Sequence, residues 1–291
     1  MRIAIAGAGI GGLTAAVALR KAGHTITVFE RAPEVKPVGA GLALAANAIR
    51  AFREIGIDQS VIARGHVLHA FRINNQAGEI ISTTDSYSLT AKYGINNFSI
   101  HRADLHAALL EAIQDVPVRL GVEVLKANTE GKVVSVHLSD GQVEKFDMLI
   151  ASDGIHSHLR RSLNPESKVR YAGYTCWRGV VEDFDHGYDE GEASETWGRT
   201  GRMGIVPLSR NRVYWFACIN ARANDPHYNQ YGIDALDRHF EKFHTPIPQL
   251  IRATPENSLL HNDIIDIKPV RKFAYDRIVL LGDAAHATTP N

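Results

Sequence analysis

Cysteine is scarce in this chain: 291 residues carry only Cys176 and Cys218. Two thiols this far apart cannot staple a small domain, and both sit among apolar or aromatic neighbours. They read as buried thiols in a reducing, cytoplasmic setting. Net charge is missing as well, since 32 basic and 32 acidic side chains cancel and are evenly mixed. That balance excludes a phosphate-tracking nucleic-acid surface and a charged tail. Long apolar runs are absent too. Ile3 to Leu19 is mostly apolar, but glycines interrupt it and its charges, Arg20 and Lys21, come at the far end. A spanning helix needs about 20 apolar residues, and a secretory signal carries its charges first. Neither a membrane partner nor a leader is expected. The 14 histidines lack ligand spacing; the nearest pair, His156 and His158, has no supporting cysteine or carboxylate, so no metal is expected. A small-molecule partner is what remains.

What is present is an apolar fraction of 45%, enough for two domains, or for one domain with a large insertion, at a length where roughly 75% of the unfolded surface is buried. Three glycine-and-acid segments stand in a fixed order. They are GAGIGG at Gly7 to Gly12 followed by Glu30, ASDGIHSHLR at Ala151 to Arg160, and LLGDAAHATTP at Leu281 to Pro290. Each reads as a strand ending in a tight turn beside a polar ligand.

Ile3 to Ala6 reads as a strand, Ile10 to Lys21 as a helix closed by Gly23, and Ile26 to Phe29 as a second strand ending at Glu30. This is a parallel β–α–β crossover of about 30 residues. Helices are expected over Ala46 to Ile55, Ile57 to Arg64 and Arg102 to Ile113, and a hairpin around Asn75 and Gly78. A polar, turn-rich stretch then runs to Asn97. Val122 to Leu125, Val133 to Leu138 and Val143 to Phe146 alternate like a small antiparallel sheet. Past about Arg170 aromatic residues become frequent and strands such as Tyr174 to Val181 and Arg212 to Ile219 alternate. Asp234 to Phe243 and Ile247 to Ala253 read as helices.

The opening turn has a definite chemistry. Gly7 permits the tight turn, Gly9 lets backbone approach a pyrophosphate, and Gly11 and Gly12 bring the helix close to the sheet. The helix starting near Ile10 aims its unpaired N–H groups and positive dipole end at the phosphates. The Glu30 carboxylate can accept both hydroxyl protons of a ribose and would repel a 2′-phosphate. This motif alone does not separate FAD from NAD. Asp153 and Asp283 could equally cap the helices that follow them.

Taken together, the three segments resemble the single-component FAD-dependent aromatic-ring monooxygenases. The resemblance implies an α/β fold: a Rossmann-type FAD-binding domain with a parallel sheet and a small antiparallel sheet, carrying an inserted, mainly antiparallel substrate domain. The implied division is 1–70, 98–170 and 268–291 for the FAD domain, against 71–97 and 171–267 for the substrate domain. It also implies that Asp283 with Gly282 bonds the ribityl chain and that Asp153 with Gly154 supports the pyrophosphate region. Arg102 would reach FAD, Val124 would contact adenine through its backbone, Arg31 would lie beside the adenosine, Ala43 at the isoalloxazine entrance, and Pro290 within the third motif. NADH or NADPH would be a transient reductant and O2 the co-substrate. Hydroxylation of an aromatic or heteroaromatic substrate would pass through a flavin C4a-hydroperoxide.

The urate-hydroxylase-like branch is the nearest by eye, sharing RYAGY at Arg170 to Tyr174, an Arg before an M-x-x-x-P strand (Arg202 to Pro207) and Tyr214. In that branch the Arg and Tyr contact and activate the substrate, which makes Arg202 and Tyr214 the candidate catalytic pair. Alternation puts Tyr214, Phe216 and Cys218 on one strand face, and Cys176, Arg202, Tyr214 and Phe216 are the candidate substrate contacts. Cys176 stands where that branch has a polar amide, which weakens a urate assignment. Other readings stay open: another flavin oxidoreductase, though the W-x-W-x-I-P signature of halogenases is absent, or a non-enzymatic nucleotide-fold relative. The family pattern continues past Pro290 with P-x-x-G-Q-G and a helix, whereas this sequence ends at Asn291. On that reading this polypeptide should hold FAD weakly and turn over poorly. A monomer or homodimer is expected.

Overall fold

A computed structural model describes residues 1–35, 40–94, 96–184, 187 and 190–290; Asn291, the last residue of the expected FAD domain, lies outside them. The chain forms two compact units: Met1–Pro37, His106–Ala172 and Ile265–Asn291 in the first, Val38–Leu105 and Gly173–Ile264 in the second. Residues 38–70 and 98–105, expected in the FAD domain, group with the second unit. The reason is local pairing. Gly41–Leu44 and His66–Leu68 both pair antiparallel with Asn97–His101, and Ala70–Asn75 joins the large sheet of that unit.

The first unit is built on a six-stranded sheet. Its central strands run parallel in the order Ile278–Leu280, Met148–Ala151, Arg2–Ala6, Thr25–Glu30 and Val118–Leu120. The three strands that lead into the three glycine turns are therefore immediate neighbours. A three-stranded antiparallel sheet, Val124–Glu130, Val133–Leu138 and Val143–Phe146, accompanies it. Phe29, Val134, Val136, Leu138, Phe146, Leu149 and Leu159 form one buried cluster. The first strand of that small sheet begins two residues later than Val122, and its pairing shifts register between His137 and Leu138.

The second unit carries a seven-stranded sheet ordered Leu260–Ile267, Val169–Glu182, Arg212–Asn220, Arg202–Leu208, Glu192–Trp197, Ala70–Asn75 and Ile80–Asp85. One face is the core. Trp177, Met203, Ile205 and Trp215 pack there on Leu236 and Phe240 of helix Ile233–Phe240 and on Ile247, Leu250 and Ile251 of helix Ile247–Arg252. Trp177 and Trp215 are fully buried, and each such ring removes about 150–250 Å² from water. The Trp215 indole N–H donates to Thr254 Oγ1 at 2.8 Å, so its polar atom is satisfied. The stretch read as turn-rich contains a helix, Tyr87–Tyr93. Asp85, two residues before its first residue, accepts from Tyr87 N, and Gly94 closes it in the left-handed conformation. No helix among the described residues is long and apolar enough to cross a membrane.

Candidate functional site

In the first unit the three glycine turns converge. Gly7 has φ +97°, and a methyl group built on it would lie 2.4 Å from the Ser152 carbonyl oxygen. One built on Gly12 would lie 2.0 Å from the Gly7 carbonyl oxygen and 2.7 Å from Ser152 Oγ. Only glycine fits at either position. A methyl on Gly11 would touch Gly282 Cα at 3.7 Å, which ties the first turn to the third. The second and third are joined by Arg160, which is fully buried. Its guanidinium donates to the carbonyls of Asp283 (3.4 Å), Ala284 (3.3 Å) and Ile155 (2.5 Å). Burial holds its pKa below the ordinary arginine value, with the Asp153 carboxylate opposing that shift.

A cleft of about 180 Å³ opens at these turns, lined by Gly7, Gly9, Glu30, Arg31, Val124 and Asp153 among others. Helix Ile10–Lys21 starts at its edge. No side chain caps that helix, and its first intrahelical bond is Leu13 N to Gly9 O. The N–H groups of Ile10, Gly11 and Gly12 thus have no acceptor within the helix. Glu30 accepts Ala8 N–H on one oxygen (2.8 Å) and Ala32 N–H on the other (2.9 Å). Each oxygen keeps a second lone pair for a hydroxyl. Asp153 accepts Leu159 N at 3.4 Å on one oxygen, while the other is buried without a partner among the described residues. Gly154 and Gly282 also line these turns at φ +84° and +61°. Asp283 opens the short helix Asp283–His286 and is exposed, as is Pro290. Ala43 and Arg102 belong to the second unit; Ala43 pairs with Ser99, and Arg102 N donates to Ala40 O at 3.0 Å.

The other candidates share the face of the seven-stranded sheet opposite its tryptophan core. Register places them in rows. Arg202, Cys218 and Cys176 lie abreast, then Gly204, Phe216 and Arg178, then Val206, Tyr214 and Val180. Arg202 and Tyr214 are four positions apart, about 13 Å along the strand, with the Phe216 ring between them. Both rings lie over glycine. A methyl on Gly204 would fall 2.1 Å from the Phe216 ring, and one on Gly41 2.5 Å from the Tyr214 ring. Burial pushes the Tyr214 phenol well above its ordinary value, so it stays protonated. Arg202 is paired with Glu195 (Nη1 to Oε1, 2.9 Å) and lies 5.4 Å from the Tyr174 ring centroid.

A model of the FAD binding domain family matches residues 1–291. The chain belongs to that family. It is 40% identical over 291 residues to the aurachin C monooxygenase/isomerase of Stigmatella aurantiaca, a match covering 100% of this chain and 76% of the relative. To the 2-heptyl-3-hydroxy-4(1H)-quinolone synthase of Pseudomonas aeruginosa it is 33% identical, again over 100% and 76% of the two chains. Among solved structures, Klebsiella pneumoniae HpxO complexed with FAD and uric acid superposes with TM-score 0.90 at 30% identity, covering 99% of this chain and 74% of that one. This family member is an FAD-dependent monooxygenase with the α/β architecture of those flavoproteins.

The cleft fits FAD on its own terms. Two glycines have no room for a side chain, Gly9 has nothing within 4 Å of an added methyl, and a buried Asp153 oxygen awaits a donor. A pyrophosphate would take the free helix N–H groups, and ribose or ribityl hydroxyls would supply the donors. Two residues of this flavoprotein escape sequence reasoning. Glu195 sits in EASETW, a polar strand without apolar alternation, and meets Arg202 only through cross-strand register. Arg160 stands in the second motif, but nothing local indicates that its guanidinium reaches the third. His156 and His158 line the cleft.

Proposed function

We propose that this monooxygenase uses NAD(P)H and O2 to hydroxylate an uncharged, bicyclic heteroaromatic compound of the quinolone or quinoline type. The observation that carries the proposal is the Glu195–Arg202 pair. A guanidinium meant to hold an anionic substrate should be unpaired, whereas here a carboxylate with 12% side-chain exposure already neutralises it. The remaining guanidinium N–H groups and the protonated Tyr214 hydroxyl then offer neutral hydrogen bonding at two ends of the Phe216 ring. A fused bicycle suits that spacing better than one small ring. Two relatives bearing aurachin and quinolone names support the reading. Cys176, which cannot pair with an oxopurine edge as an amide would, speaks against urate.

Bound FAD supplies the electron and oxygen chemistry. The chain's own residues do the rest: Arg202 and Tyr214 orient the ring, Phe216 and Val206 exclude water from it, and the helix at Gly9 holds the phosphates. Asp283 would accept from the ribityl hydroxyls of FAD, and Asp153 would support its pyrophosphate region. The test is substrate-stimulated NADH and NADPH oxidation across 4-quinolones, hydroxypyridine carboxylates, phenolic acids and urate. Stimulation and oxygenated product with the quinolones are expected. Stimulation by carboxylates or urate alone would overturn the neutral-substrate reading.

A further inference from the structure

Cys176 and Cys218 face each other in register across the antiparallel strands Val169–Glu182 and Arg212–Asn220. Both are free thiols, 3% and 5% exposed. Directly opposed residues of an antiparallel pair have Cα atoms about 4.5–5.5 Å apart, inside the roughly 4.4–6.8 Å span a disulfide bridges without moving backbone. The Cys176 thiol donates to the Trp177 carbonyl oxygen at 3.4 Å, within its own strand. Arg202 is the next cross-strand neighbour of Cys218. Cys218 and Arg202 also line an open cavity of about 510 Å³ formed with the hairpin residues 197–201, Tyr228 and His239.

We propose that Cys176 and Cys218 form a peroxide-reactive thiol pair in the substrate-side wall, converted by hydrogen peroxide to a reversible cross-strand disulfide. Cys218 is the attacking member because it lines the cavity and neighbours the guanidinium. The neighbouring Cys176 thiol, and then Arg202, lowers the Cys218 thiol from the ordinary cysteine value against the opposing effect of burial, whereas Cys176 is raised. The Cys218 thiolate attacks one peroxide oxygen, the O–O bond breaks and hydroxide leaves, giving a sulfenic acid. Cys176 sulfur then attacks the Cys218 sulfur, and the sulfenic oxygen departs as water with the Cys176 proton. In sum, two thiols and one peroxide become one disulfide and two waters. Intramolecular placement makes the second step faster than escape to a sulfinic acid.

The experiment uses the full chain with dilute hydrogen peroxide, followed by thiol titration under denaturing conditions and by intact-mass and peptide analysis. Titratable thiols should fall from two to none, the mass should drop by two hydrogens, and one peptide should link 176 to 218. Dithiothreitol should restore both thiols. Cys176→Ser should strand Cys218 as a dimedone-trappable sulfenic acid, while Cys218→Ser should leave Cys176 largely unreacted. Intermolecular disulfides, oxidation of Cys176 ahead of Cys218, a sulfinic acid at 218 with Cys176 still reduced, or two surviving thiols would each overturn the proposal. None of these readouts depends on the identity of the hydroxylated substrate.

Discussion

Replacing Gly9 by alanine separates the fold of the opening turn from its ligand. Gly9 sits at φ −72°, ψ 177°, extended backbone open to any residue, and its added methyl meets nothing within 4 Å. The FAD-free variant should therefore be as stable as the parent, or up to about 1 kcal/mol more stable through its stiffer unfolded chain. The methyl nevertheless occupies the space through which backbone approaches the pyrophosphate. Holding the helix N–H groups away forfeits one charge-assisted hydrogen bond, at about 1.5–3 kcal/mol. With 1.4 kcal/mol per decade, a loss on the order of 10–100-fold in FAD affinity is expected. Gly12→Ala is the control, since its methyl lands 2.0 Å from a backbone oxygen. It should destabilise the FAD-free fold by about 1–3 kcal/mol. Urea unfolding of FAD-free protein and a flavin-fluorescence titration read the two effects apart. Unchanged FAD affinity in Gly9→Ala, or a stability loss matching that of Gly12→Ala, would refute the reasoning.

Arg160→Met should lower unfolding free energy by roughly 3 kcal/mol or more, because buried carbonyls at 155, 283 and 284 lose their donor; denaturant midpoints measure it. Glu195→Gln should uncover the Arg202 charge and raise turnover of anionic aromatic acids relative to neutral heterocycles by about tenfold; an unchanged preference would count against the charge argument. His101 is held below the ordinary imidazole value by burial and then by Arg212, and His261 by burial. Because these folded-state values are depressed, stability is unaffected above about pH 6.5 and declines as pH falls below it, where the unfolded chain takes up protons first. Urea midpoints across that range, with His101→Gln and His261→Gln flattening the acid-side fall, check the sign.

How much of this was readable beforehand depends on how local the signal is. The turns at Gly7, Gly154 and Gly282 are short-range statements: a strand, a glycine with positive φ and an acid beside it. The same holds for the alternation that puts Tyr214, Phe216 and Cys218 on one face. The helix Tyr87–Tyr93 carries local signals in Asp85 and Gly94, but its polar composition gives it the look of a turn. Glu195 and Arg160 act through register and through contacts between segments distant in sequence, which no periodicity reveals. The boundary near residues 38–105 was hidden for the same reason, since Gly41–Leu44 has no alternation and becomes a strand only by pairing with Asn97–His101.

Arg160 has a consequence for how the cofactor end of the first unit opens. One guanidinium, out of reach of solvent, clasps carbonyls from two turns that are separated by more than a hundred residues. Fraying of the third turn strands the Arg160 donors and fraying of the second strands the Asp283 and Ala284 carbonyls, so amide hydrogens at Ser157–Arg160 and at Ala284–Ala285 should exchange with one shared opening rate. Loop grafting or insertion at either motif would then have to be tolerated by both.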